Sequence, residues 1–374
     1  MESFTIIHFI LFLGISQGIF LAIAIQCIHN RNRLANRMLS LILIIAAIML
    51  TGRFFFTIET NTIVFFRLAL FVDILVFVFG PLLYLYYRRL VFHEKVKYTL
   101  HYVNFIPAMG MLAYHIWTYQ YSYEEFVLMV RNGRLMIPFF IIETVGIVFN
   151  LYFCYRCFLL IKVYQKEEKK YLSYAQDLVP YLIVILMIVL LFLILWVVSY
   201  VLFYFLGIYS SFISYNVIWV AIPLFVYIVG FYSLKQPDIF RMPRGKKNDA
   251  QNRERVEGKA LQDLQKNLEH LMVHEKIYLD HKLTLTNLAK QLNTSTNNLS
   301  WLLNNIHESS FYDFINKYRV EAFIEKIEKG EHQKHTILAL SLDSGFNSKS
   351  TFNKAFKAVL KDTPSNYVKK LKAV

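Results

Sequence analysis

Along its first 233 residues the chain alternates long apolar runs with short polar breaks, and beyond them the pattern switches to amphipathic stripes of helical period. Crossing the roughly 30 Å of bilayer hydrocarbon takes about 20 residues at 1.5 Å each. Seven runs reach or approach that length: Phe4 to Ile28, Met38 to Thr57, Ile63 to Tyr87, Tyr102 to Tyr119, Leu135 to Ile161, Leu178 to Leu206, and Phe212 to Ser233. The pattern therefore predicts a seven-helix transmembrane bundle over 1–233. The first run lacks a basic leading segment and a small-residue cleavage site and is too long for a signal-peptide core, so it reads as a retained helix. The fourth is the weakest, being short and carrying His115, and its loss would invert everything after it.

Orientation follows from the basic residues of the short loops. Loops one, three and five hold eleven of them: Arg31, Arg33 and Arg37; Arg88, Arg89, Lys95 and Lys97; Lys162, Lys166, Lys169 and Lys170. The other side holds Arg131 and Arg134, with Arg53 and Arg67 near helix ends. This places the N-terminus outside and the C-terminus in the cytoplasm. Tyr84, Tyr86, Tyr87, Trp117, Tyr119 and Tyr121 sit near run ends, as interfacial aromatics do.

Ionisable groups within hydrocarbon are costly and usually face a partner or a cavity, which singles out Arg67, Asp73 and Glu143. The third and fifth runs both enter from outside, so Asp73 lies roughly 15 Å and Glu143 roughly 12 Å along its helix. Arg53 and His115 fall near outer ends and join them as a candidate signal pocket: Arg53, Arg67, Asp73, His115 and Glu143. The same residues also suit interhelical salt bridges that hold a bundle together, and the sequence leaves both readings open. Pro81, Pro107, Pro138, Pro180 and Pro223 fall in or at the ends of five runs, as bends or packing features.

Composition narrows the classes. The chain is 374 residues long, 56% hydrophobic and 17% aromatic, yet carries a formal net charge of +14. Through Ser233 there are 16 Lys and Arg against 10 Asp and Glu; from Leu234 onward there are 24 against 16 in a much shorter stretch. An apolar half joined to a basic half fits a membrane part fused to a part that meets nucleic acid or lipid. Cys27, Cys154 and Cys157 lie in or beside apolar stretches without metal-ligand spacing and read as small hydrophobes. No HExxH, GxSxG or GxxxxGK[ST] occurs, and the seventh run has no lysine before Lys235 for a Schiff base. No catalytic residue, metal or cofactor is expected.

After Leu234, Lys235-Gln236-Pro237 closes the last run and Arg241 to Lys247, RMPRGKK, forms a basic juxtamembrane connector suited to anionic lipid. Leu261, Leu264, Leu268 and Leu271 follow at spacings of three and four; this stripe packs on its own domain or pairs two chains as a dimerising stalk. From Leu283 the pattern sharpens. Thr284 caps a short helix burying Leu285, Leu288, Ala289 and Leu292; Asn293-Thr294 makes a tight turn; Ser295 caps a second helix burying Leu299, Leu302 and Leu303. Two short helices with a small Ala at the crossing describe a helix-turn-helix. Its polar side offers Ser295, Thr296, Asn297, Asn298, Ser300, Trp301 and Asn304 to base edges. An amphipathic helix from Phe311 to Ile327 leads into a second such unit. There Ile337, Leu340 and Ser341 lie on the first helix, Gly345 turns the chain, and Ser348 caps a helix burying Phe352 and Phe356. That helix exposes Ser348, Lys349, Ser350, Asn353, Lys354 and Lys357.

Gly345-Phe346-Asn347-Ser348-Lys349-Ser350-Thr351-Phe352-Asn353-Lys354-Ala355-Phe356-Lys357, followed by Thr363-Pro364-Ser365-Asn366-Tyr367, resembles the signature of the AraC/XylS family of bacterial transcription regulators. Leu283 to Leu292, Leu299-Ser300 and Phe311 to Val320 are similar to the same family's first helix-turn-helix and connecting helix. The resemblance covers residues 265 to 372 and implies a DNA-binding domain whose recognition helices are 295 to 306 and 348 to 358. Ser341 stands where the family usually has Ala, and Lys361 where it usually has Gly.

The expected fold is thus all-α: a transmembrane domain over 1–233, a juxtamembrane linker over 234–260 and a double helix-turn-helix domain over 261–374. The expected function is a regulator embedded in a bacterial cytoplasmic membrane, sensing a signal through the bundle and binding promoter DNA in successive major grooves. Its expected partners are promoter DNA, the lipid bilayer, a small molecule in the bundle, a second copy of the chain, and RNA polymerase. The alternative is a transporter or permease with a regulatory DNA-binding tail; the seven runs show no internal symmetry that would favour it.

Overall fold

The computed structural model describes residues 6–27, 33–57, 67, 70–94, 100–174, 176, 178–208, 215–235, 242–244 and 258–372. They form two compact units that do not follow the composition boundary. The first comprises Met1–Lys162 and Leu178–Arg244; the second comprises Val163–Asp177 and Gly245–Val374. A stretch that the hydrophobic pattern assigns to the membrane half therefore belongs to the C-terminal fold. Of the basic connector, Arg241 and residues 245–247 lie outside the described residues, as do Arg31, Lys95 and Lys97 of the loops.

In the first unit, α1 (Ile6–Cys27), α2 (Arg33–Thr57), a 3-10 turn (Asp73–Leu75) leading into α3 (Val76–Val91), α4 (Ile106–Thr118), α5 (Tyr123–Arg131), α6 (Met136–Tyr171, ending in the second unit), α7 (Leu178–Tyr204) and α8 (Tyr215–Lys235) follow in order. Five segments are long and apolar enough to cross a membrane: Ile6–Cys27, Arg33–Phe55, Leu70–Val91, Met136–Tyr171 and Leu178–Tyr204. Among the described residues the count is thus five where the pattern predicts seven. The fourth run forms α4, only 13 residues and so about 20 Å long. In the seventh, the apolar stretch that qualifies is the shorter Ile222–Tyr232. What reads as loop four contains α5, started by a reciprocal cap in which the Ser122 amide donates to Glu125 (2.8 Å) and the Glu125 amide donates to the Ser122 hydroxyl (3.2 Å).

Small residues let these helices approach closely: Gly14 faces Pro223 and Leu50, Gly18 faces Ala47, and Gly230 faces Leu21. Buried polar bonds supplement that packing. Gln26 donates to the Ser40 hydroxyl, which donates to the Ala22 carbonyl, each at 2.8 Å; Tyr87 donates to the Leu182 carbonyl at 2.6 Å. Arg156, a cation inside the fifth apolar run that the charge pattern passes over, is accommodated by tyrosines. It donates to the hydroxyls of Tyr152 (2.6 Å) and Tyr84 (2.9 Å) and lies over the Tyr84 ring at 4.7 Å. The described residues depart from helix and connection in one named pair of strands, β1 (Phe92–Glu94) and β2 (Met242–Arg244), which run parallel. At three residues each, these strands leave the fold all-helical, as expected.

The second unit contains α9 (Lys259–Val273), α10 (Leu285–Gln291), α11 (Thr296–Asn305), α12 (Phe311–Glu328), α13 (Ile337–Asp343), α14 (Lys349–Leu360) and α15 (Pro364–Lys372). Two apolar clusters flank α12. Phe311, Phe314 and Ile315 join the first with Leu264, Leu268, Leu288 and Leu302; Val320, Phe323 and Ile327 join the second with Leu340, Phe346, Phe352 and Phe356. The leucine stripe of α9 accordingly packs within its own unit.

Candidate nucleic-acid interface and bundle cavity

Each helix of the two C-terminal pairs starts on a hydroxyl that answers an otherwise unpaired backbone N–H. Thr284 accepts from Asn287, Ser295 from Asn298 and Thr336 from Ala339 at 3.1 Å, and Ser348 accepts from Thr351 at 3.2 Å. The first pair turns at Asn293 (φ 49°) and the second at Gly345 (φ 91°), both left-handed. At Gly345 a side chain is excluded twice over, because a Cβ would stand 2.5 Å from the Tyr278 carbonyl oxygen and 2.9 Å from the Leu279 Cα.

On α11 and its cap, Ser295, Asn297 and Asn304 are exposed, while Thr296, Asn298, Ser300 and Trp301 are half-buried. The Asn304 amide donates back to the Ser300 carbonyl (2.7 Å) and hydroxyl (3.2 Å). On α14, Lys349, Ser350, Asn353, Lys354 and Lys357 are exposed and Ser348 is half-buried. The capping bonds give Ser295 and Ser348 a structural task in addition to the base contact expected of them. Lys361 ends α14 in the left-handed conformation (φ 57°), where glycine would be free of strain. Ser341 is fully buried and donates to the Leu338 carbonyl of its own helix at 2.7 Å.

Between the two apolar clusters lies a polar seam that the hydrophobic pattern does not announce. Arg319, on α12, is fully buried, and its five N–H donors are all engaged. Nε donates to the Tyr278 carbonyl (2.7 Å); Nη1 to the Ser173 carbonyl (2.8 Å) and Asn316 Oδ1 (3.1 Å); Nη2 to the Ser173 hydroxyl (3.0 Å) and the Asp280 carbonyl (2.7 Å). Burial lowers the guanidinium pKa to about 10, which leaves it charged at neutral pH. Ser173 comes from the stretch after α6. Its hydroxyl donates to the Leu283 carbonyl (2.7 Å), its carbonyl also accepts from Asn316 Nδ2 (3.0 Å), and the neighbouring Leu172 bridges Thr284. Leu172 and Ser173 are both fully buried. The periodicity of α12 held one clue to this seam, since Arg319 falls four residues after Ile315 and four before Phe323 on the buried face.

In the first unit, Arg53 (α2), Asp73 (the 3-10 turn), His115 (α4) and Glu143 (α6) line one cavity of about 570 Å³. Its walls are otherwise chiefly apolar and aromatic. Glu143 accepts from the Tyr204 hydroxyl at 3.2 Å. Arg67, the fifth residue singled out by depth, is not in the lining: it donates to the Tyr121 carbonyl (2.7 Å) and lies 4.1 Å from the Tyr119 ring centre. Among the described residues no group of three or more His, Cys, Asp or Glu is placed to hold a metal ion.

Residues 288–370 match the family model of a helix-turn-helix domain. The match runs from within α10 to α15, so it takes in both helix pairs, and it supports an AraC-type DNA-binding region at the C-terminal end of the chain with DNA as its partner. No curated protein and no solved structure matches the chain.

Proposed function

We propose that the protein is a one-component transcription regulator embedded in a bacterial cytoplasmic membrane, with the helical bundle as sensor and the C-terminal unit as promoter reader. In this reading α11 and α14 are the recognition helices of two helix-turn-helix units that enter successive major grooves, roughly 34 Å apart. The single observation that carries the coupling is the membership of Val163–Asp177 in the C-terminal unit. That stretch, the last turns of α6 and the connection to α7, brings the Ser173 carbonyl and hydroxyl to the seam, where both accept from Arg319. A helix that carries a cavity residue, Glu143, near one end and runs into this stretch at the other is a physical route from bundle to reader.

A signal acts here by population shift: whatever favours one arrangement of the bundle biases how α6 presents the docked stretch, and with it the reader. Five membrane-length apolar segments support the embedding. With α4 and α8 counted as crossings too, residues 163–177 and the C-terminal unit fall on one side, the cytoplasmic side that the basic loop residues also favour. The test is a chromatin-binding map of tagged full-length protein. Promoter occupancy is expected to change in Asp73→Asn, Glu143→Gln and Ser173→Ala variants of equal abundance; occupancy unchanged in all three refutes the coupling.

A further inference from the structure

The cavity's chemistry says what kind of molecule it takes. Its volume, about 570 Å³, suits a small organic ligand rather than an ion. Phe77, Phe79, Phe192, Phe225, Trp196 and Trp219 contribute to a largely aromatic wall. Against that wall stand the carboxyl groups of Asp73 and Glu143 and the guanidinium of Arg53, so the described lining carries one more formal negative charge than positive. Two further polar atoms in the lining residues, Tyr114 Oη and His115 Nε2, are buried with no hydrogen-bond partner among the described residues. A buried group left so is costly, and a ligand's polar head relieves that cost by bonding to it.

Anion, neutral amphiphile and cation are not equivalent guests for this host. An anion adds to a lining whose formal charge is already negative, and that is penalised where the dielectric is low. A purely apolar guest leaves Tyr114 and His115 unanswered. A cationic head meets two carboxylates and several aromatic side chains in one lining, the combination that recognises organic ammonium groups.

We infer that the bundle cavity binds an amphipathic organic cation, a protonated amine on an apolar or aromatic body, with Asp73 and Glu143 recognising the ammonium. The inference rests on the sensor reading above, to which it adds the ligand's class.

The experiment uses the full-length protein in nanodiscs of zwitterionic lipid, with empty nanodiscs correcting for partition, and follows tryptophan emission, since Trp196 and Trp219 stand in the wall. Three probes share one body and differ in the head: 4-phenylbutylamine, 4-phenylbutan-1-ol and 4-phenylbutyrate. The amine is expected to bind at least ~10-fold more tightly than the alcohol, with the carboxylate weakest; one tenfold step corresponds to about 1.4 kcal/mol. Glu143→Gln and Asp73→Asn are each expected to narrow the amine-to-alcohol gap to within ~3-fold while leaving the alcohol's affinity in place, which shows the variants to be folded. Arg53→Gln leaves the amine's advantage intact. Equal affinities for all three probes, or a tighter carboxylate, overturn the inference. Selective amine binding that leaves promoter occupancy unchanged in cells supports the ligand class and refutes the sensor reading instead.

Discussion

Replacing Ser173 by alanine probes the seam with the smallest available change. The backbone carbonyl, which accepts from Arg319 and Asn316, survives; the hydroxyl, which accepts from Arg319 Nη2 and donates to the Leu283 carbonyl, is lost. Arg319 remains charged at neutral pH, so one of the two bonds removed is charge-assisted and worth about 1.5–3 kcal/mol, while the neutral one is worth about 0.5–1.5 kcal/mol. Together the expected loss is roughly 2–4.5 kcal/mol. Leu172 and Ser173 are fully buried, so little water is at hand to replace the hydroxyl. Hydrogen exchange by mass spectrometry on the full-length protein in nanodiscs reads the consequence directly, as local opening of the stretch over 163–174 and of its partners over 278–284. At about 1.4 kcal/mol per tenfold, protection there should fall about 30- to 1,600-fold. Protection that changes less than ~3-fold on both sides refutes the reasoning, because it means that the hydroxyl holds nothing.

Other outcomes follow from the same geometry. Gly345→Ala forces a Cβ against the Tyr278 carbonyl oxygen at a positive φ and should destabilise the C-terminal unit by roughly 2 kcal/mol or more, read by pulse proteolysis; a variant as resistant as the parent contradicts the turn geometry. Lys361→Gly relieves a left-handed lysine at the end of α14 and should gain about 0.5–1 kcal/mol in the same assay, with no gain counting against strain at that cap. Lys354→Ala and Lys357→Ala should weaken DNA binding on all duplexes and lower the salt slope by ~0.9 for each phosphate that is no longer neutralised, whereas Asn353→Ala should reorder preferred sequences. Equal losses on specific and random duplexes for all three would sink that division.

The local features of the C-terminal unit were legible because they depend on a few adjacent residues. A hydroxyl before an apolar stripe announces a cap, and Thr284, Ser295 and Ser348 cap as that rule requires. An Asn or Gly between two short stripes announces a left-handed turn, and Asn293 and Gly345 have positive φ. The grouping of ionisable residues inside apolar runs was legible too, and Arg53, Asp73, His115 and Glu143 share one cavity. Depth does not carry direction, which is why Arg67 ranked beside them although it turns to Tyr119 and Tyr121. Least legible was the docking of residues 163–177. Polar and charged, KVYQKEEKKYLSYAQD reads as a solvated loop from Lys162 on, and no period in it reveals that α6 continues to Tyr171 or that Leu172 and Ser173 enter a core more than a hundred positions away. Arg156 and Arg319 escaped notice for a related reason: a scan for apolar faces passes over a cation whose partners are tyrosine hydroxyls or distant carbonyls.

That the C-terminal unit borrows Val163–Asp177 makes it discontinuous in the chain, interrupted by α7, α8 and β2. An expression fragment cut at the start of the basic half, at residue 245 or 261, would resemble a complete DNA-binding domain by its motif and yet lack Leu172 and Ser173. Arg319 would then be left with two of its five bonds unmade, at the centre of the fragment's own core. During synthesis the order is fixed in the same way. The docking stretch leaves the ribosome first, two apolar helices follow, and only afterwards do Leu283, Asn316 and Arg319 emerge to receive it. The reader's fold is therefore finished last, once the bundle's final helices have been made.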